Sequence, residues 1–222
     1  MNTSAEIKLW GTTIGAVTLP KDEKFAFFEY NPSFLQTGIQ VAPITMPLRS
    51  GIFRFPNLSY ESFFGLPGLL ADSLPDKFGN QLINTWLSKQ GRLPESFNAI
   101  ERLCYTGKRG MGALEFYPIL STQKDDNESL NVQNLVELAS IVLQNRQNLS
   151  AILDECDKRK LNQELAKIIK VGTSAGGARA KAVIAFNPHT KEIRSGQVES
   201  EKGFEHWLIK FSGVSGNKDK EN

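Results

Sequence analysis

The feature that most constrains this chain is a run of small residues, Gly172-Thr173-Ser174-Ala175-Gly176-Gly177-Ala178-Arg179-Ala180-Lys181, set directly before an apolar segment at 182–186. It reads as a loop between potential strands. A polar turn follows, Asn187-Pro188-His189-Thr190, then a second extended segment at 192–198 and the run Trp207-Leu208-Ile209-Lys210-Phe211. Glycines let backbone N–H groups approach a phosphate closely, and a lysine on a neighbouring strand supplies a point charge to it. Loop, strand, turn, strand and lysine-bearing strand are, in that order, the parts of a kinase-type nucleotide lobe. The run alone is a weak signal, and a glycine-rich turn between packed elements explains it as well. It is not a P-loop, because Lys181 is followed by Ala182, and it contains no GxGxxG. A lysine near a strand end, as Lys210 is, ordinarily reaches solvent.

Length and charge narrow the remaining choices. With 222 residues the chain can bury a real core in one or two domains. A net charge of +2 gives no argument for nucleic acid or a membrane surface as a direct partner. Cys104 and Cys156 sit far apart and outside any CxxC, which fits reduced thiols better than a ligand cluster. No signal peptide is visible at the N-terminus and no apolar run approaches the roughly 20 residues a bilayer needs. The expected location is the cytoplasm, away from membranes.

Residues 5–55 read as β. Ile7-Lys8-Leu9-Trp10 and the segment 14–19 flank Gly11-Thr12-Thr13, a hairpin signal. Phe25-Ala26-Phe27-Phe28-Glu29-Tyr30 is an aromatic strand closed by Asn31-Pro32, and Ile52-Phe53-Arg54-Phe55 can be one more. The expectation is a small twisted antiparallel sheet. Beyond Tyr60 the period changes. Gly65, Pro67 and Gly68 break any long helix, and Leu82, Ile83, Trp86 and Leu87 give the next one an apolar stripe. Pro94-Glu95 predicts the start of a second helix with Phe97, Ile100 and Leu103 on one face and Gly107 after its end. Residues 109–118 are a glycine-rich lead into a strand. The polar segment 121–129 is the linker candidate. A helix over 131–148, burying Leu135, Leu138, Ile141 and Val142, and another over 162–170 then lead to the small-residue run.

Other chemistry-bearing side chains have plainer readings. His189 beside a turn proline reads as exposed, and His206 has no histidine or acid at ligand spacing, so neither makes a metal site. Ser174 has no sequence-adjacent base and fits a turn serine bonding local backbone.

Four blocks together resemble the HipA family, serine/threonine kinase toxins of bacterial toxin–antitoxin modules. Leu70-Ala71-Asp72-Ser73-Leu74-Pro75-Asp76-Lys77-Phe78-Gly79 is similar to the family's L-x-D-S-L-P-D-x-[FW]-G block. Gly110-Met111-Gly112-Ala113-Leu114-Glu115-Phe116 resembles its G-x-M-G-A-L strand. Ser174-Ala175-Gly176-Gly177-Ala178-Arg179-Ala180-Lys181-Ala182 resembles its loop, with Ala180 where proline is frequent, and 203–211 resembles its ATP-lysine strand. The resemblance implies an α+β chain: at 1–122 a HipA N-terminal subdomain, a small antiparallel sheet with helices, and at 130–222 an incomplete kinase-like nucleotide lobe, the helical C-lobe being absent. It further implies ATP with Mg²⁺ as cofactors. Ser174, Ala175, Gly176, Gly177, Ala178, Arg179 and Lys181 would cover the phosphates, Lys210 would pair with the α- and β-phosphates, and Ser174 would be the autophosphorylation candidate. Implied partners are a HipB-like helix-turn-helix antitoxin, DNA only through that antitoxin, and a protein substrate such as an aminoacyl-tRNA synthetase.

One departure shapes the expected activity. No segment resembles the family's catalytic loop or its metal-binding aspartate, and the chain ends at Asn222, soon after Lys210. Phosphoryl transfer needs both the positioning and the charge stabilisation those residues give. The expectation is a polypeptide inactive as a kinase by itself, with no catalytic residue and no metal ligand of its own. It reads as the N-terminal part of such a kinase, as a separate antitoxin-like protein that binds one, or as one half of an enzyme completed by a second chain. Trp207 and Ile209 are expected to be partly uncovered, and 212–222 to be disordered.

Overall fold

The computed structural model describes residues 2–110, 112–120, 135, 136, 139, 181–196 and 201–211, the Lys89 side chain excepted. The chain divides into two compact units: Met1–Leu74 with Phe97–Thr122, and Pro75–Ser96 with Gln123–Asn222.

The first unit is built on a five-stranded antiparallel sheet. Its strands are β1 (Thr3–Leu9), β2 (Thr12–Leu19), β3 (Phe27–Tyr30), β4 (Ile52–Phe53) and β5 (Leu114–Tyr117), in the order β4-β3-β2-β1-β5. The hairpin expected from Gly11 is present, but its loop is the two residues Trp10 and Gly11, at φ 48° and 78°. Positive φ at both positions is what a tight hairpin needs to match strand twist. The ladder slips once, between Ile7 and Lys8, where Ile7 pairs with Gly15 but Lys8 pairs with Thr13. Ile14 is the extra residue of this bulge, and it is fully buried. Gly15 has no substitute, because a Cβ there would lie 2.3 Å from the Glu29 carbonyl oxygen.

One face of this sheet carries the core. Ile7, Val17, Phe28 and Phe116 bury there, together with Phe53, Leu70, Ile100 and Leu103. Tyr30 packs edge-on to Phe28 at 4.9 Å and to Phe53 at 5.7 Å. Its hydroxyl donates to the Met46 carbonyl at 2.7 Å, satisfying the one polar atom that the ring brings inside. Short helices α1 (Pro32–Leu35), α2 (Tyr60–Phe63) and α3 (Gly68–Ala71) fill the connections. After α2 the chain turns through two left-handed residues, Phe64 and Gly65, and the Gly65 carbonyl accepts from Ala26 N at 2.8 Å.

The helix expected from Pro94 begins later. Pro94–Ser96 is a single 3-10 turn, and the α-helix proper is Ala99–Thr106, with Asn98 as its cap. The reason is local chemistry: Asn98 Oδ1 accepts from Glu101 N at 3.0 Å while Glu101 Oε2 accepts from Asn98 N at 2.8 Å. This reciprocal capping box outcompetes a start at the proline. Gly107 closes the helix, as its position suggests, at φ 57°.

In the second unit the long helix runs Lys77–Lys89, burying Phe78, Leu82, Ile83 and Leu87, with Trp86 half-buried. In chain order it is α4, and the helix capped by Asn98 is α5. The unit also holds a three-stranded antiparallel sheet of order β7-β6-β8, from β6 (Lys181–Phe186), β7 (Ile193–Ser195) and β8 (Glu205–Lys210). The β6–β7 connection is the expected polar turn: Asn187 Oδ1 accepts from His189 N at 3.0 Å and from Thr190 N at 3.2 Å. Leu135, Val136 and Ala139 are helical, with Leu135 and Ala139 buried. The remainder of the helix expected at 131–148, the linker at 121–129, the helix at 162–170 and the tail at 212–222 lie outside the described residues.

Candidate functional site

Of the implied cofactor-binding residues, two are described. Lys181 opens β6 and Lys210 closes β8, and the two are direct register partners across the ladder. Ser174, Ala175, Gly176, Gly177, Ala178 and Arg179 lie outside the described residues. Side chains directly opposite one another in an antiparallel pair stand on the same face of the sheet, so two lysines occupy one rung.

Their surroundings differ. Lys210 is exposed, a point charge open to an anionic partner. Lys181 is 2% exposed and its ammonium stands 2.9 Å from Asp76 Oδ2. Asp76 is the N-cap of α4: its other oxygen, Oδ1, accepts from Gly79 N at 2.8 Å. Proline before the cap and a short acceptor side chain at it are what start this helix, and Asn80 adds a bond to the Pro75 carbonyl at 2.7 Å. Oδ2 accepts no well-directed hydrogen bond, so the Lys181 charge is what compensates it. Such a pair is worth little against an apolar replacement, yet losing one partner strands a buried charge at a cost of about 3–5 kcal/mol.

This ion pair is the feature of the candidate site that reading the sequence missed. The block containing Asp76 and the run containing Lys181 each stood out, but as separate motifs. A signal was present. Lys181 leads into Ala182-Val183-Ile184-Ala185, all buried, which sets it apart from a strand-end lysine that can reach solvent.

The remaining candidates are plain. His189 and His206 are both exposed. Trp207 is 53% exposed and Ile209 is half-buried. Among the described residues no group of three histidine, cysteine, aspartate or glutamate side chains could hold a metal ion. No helix among them is long and apolar enough to cross a membrane. On this rung Lys210 is open to solvent, whereas Lys181 is already paired with Asp76.

Fold and site together define an α+β protein in which an antiparallel sheet with short helices precedes a small lysine-bearing sheet. The sequence profile of the HipA N-terminal domain matches residues 5–117, just over half of the 222-residue chain, and the chain belongs to that family. The match takes in β1 from Ala5 onward, all of β2 to β5, and also α4 with its Asp76 cap. No curated protein matches the chain.

Proposed function

We propose that this chain is the N-terminal portion of a HipA-like serine/threonine protein kinase toxin, one that contributes the nucleotide lobe and does not turn over by itself. The observation that carries the reading is the family match at 5–117, followed in the chain by a sheet that presents an exposed lysine, Lys210, at the end of β8. In this reading Lys210 meets the α- and β-phosphates of ATP as a point charge, and the backbone of 174–179 covers them. Ser174 is the autophosphorylation candidate. The base and metal ligands come from a catalytic lobe that no segment of this sequence resembles. The completed kinase acts on a protein, such as an aminoacyl-tRNA synthetase, and is restrained by a helix-turn-helix antitoxin through which it reaches DNA. It works in the cytoplasm.

A second reading, a separate antitoxin-like protein that binds a HipA-type kinase, is favoured by one fact: the matched family is that of the N-terminal domain alone. Isothermal titration of the 222-residue chain with ATP–Mg²⁺, alongside Lys210→Ala, separates the two. Micromolar binding lost in the variant supports the nucleotide lobe. Absence of binding in the parent chain overturns it and leaves the interaction reading.

A further inference from the structure

Asp76 and Lys181 are the most buried ion pair among the described residues, with side chains 6% and 3% exposed. The carboxylate is divided between two tasks: Oδ1 holds the first turn of α4 and Oδ2 holds Lys181. Lys181 is also the last residue of the small-residue run and the first of β6. The pair therefore fastens the start of β6 to the start of α4. Any phosphate that reached Lys181 would have to displace a carboxylate already buried against it, leaving that carboxylate uncompensated. Lys210, on the same rung, has no such obstacle.

We propose that Lys181 is a positioning residue and not a phosphate ligand: clamped by Asp76, it anchors the start of β6 at the start of α4, and Lys210, its register partner, supplies the open positive charge of the rung. The part concerning phosphate rests on the nucleotide reading above; the clamp itself does not.

The test is a double-mutant cycle in the full 222-residue chain with two readouts, thermal melting and MgATP titration. Asp76→Asn keeps a capping oxygen, removes the charge and turns an N–H toward Lys181. Lys181→Met keeps the stem and removes the ammonium. Each single change removes the opposite charge from a buried partner and is expected to lower the melting midpoint by on the order of 10 °C. The double change strands none, so it melts within roughly 3 °C of the parent. In titration, each single weakens MgATP binding by about tenfold through a shift of β6, the strand that holds Lys210 in register, and the double recovers to within about threefold of the parent.

Singles that melt like the parent, or a double that melts below both singles, overturn the clamp. If a single variant does not fold, the double decides: folded supports the clamp, unfolded sinks it. A double that regains the parent's melting but binds MgATP no better than the singles returns Lys181 to the phosphates and overturns the positioning role. A parent that binds no MgATP overturns the nucleotide reading, and with it the assignment to Lys210, while the melting cycle still decides the clamp.

Discussion

In the five-stranded sheet burial follows the face, whereas in the three-stranded sheet it follows the strand. Along β1 and β5 buried residues alternate with half-buried ones, so a single side carries the core. Along β6 the first five residues are all buried, and along β8 five of six are exposed. A sheet covered on one face completes its core with residues two apart, and the aromatic cluster of Phe28, Tyr30 and Phe53 does this. A sheet whose middle strand is covered on both faces cannot alternate, so its polar groups are pushed to strand ends. There Lys181 and Lys210 share a rung.

That contrast can be broken at its strongest point first. Phe28→Ala empties a fully buried ring position that Gly15 and Tyr30 pack against. A loss of about 3–5 kcal/mol in urea unfolding is expected; a loss under about 1 kcal/mol would show that the face is not the core. In the other sheet the closest packing is backbone on backbone. A Cβ on Gly196 would sit 2.7 Å from the Ile184 carbonyl carbon and oxygen, so Gly196→Ala should cost about 1–3 kcal/mol, read from the same denaturation.

Proton linkage sharpens the comparison within the first unit. Burial, helped by the Glu101 charge, pushes the Cys104 thiol from 9.0 up to about 12, and burial raises Tyr30 as well. Both groups fold in their neutral form. Their contribution is complete below the unfolded values and is lost as pH rises through the folded ones. The stability gap between the parent and Cys104→Ala should therefore narrow steadily as pH is raised from 9.0 toward about 12; a gap that widens contradicts it. The smallest effect is expected on β8. Trp207 is 53% exposed, and Trp207→Ala should shift stability by no more than about 0.5 kcal/mol, against the large cost of removing the buried Phe28 ring.

Much of the first unit was legible because alternation and turn residues are local. Phe27-Phe28-Glu29-Tyr30 announces a half-buried strand by itself, and Gly11 announces a hairpin. The bulge at Ile14 was not legible, since nothing in a threonine–isoleucine–glycine run says which residue is left out of the ladder. The start of α5 was misplaced because Pro94 is a louder local signal than the paired Asn98 and Glu101, whose value lies in a reciprocal geometry. The candidate site was half legible. Lys210 could be found by spacing and Lys181 through the family resemblance, but their shared rung depends on strand register and the Asp76 contact on tertiary folding, which neither contains.

The shared rung has one more consequence, for ionic strength. Opposed like charges on neighbouring strands repel, and the carboxylate beside Lys181 removes that penalty without touching Lys210. Mobile ions screen an exposed charge over about 8 Å at physiological salt but scarcely reach a buried pair. Added salt should thus mute Lys210 while leaving Lys181 and Asp76 as they are, so that two lysines facing each other on one sheet belong to different electrostatic regimes.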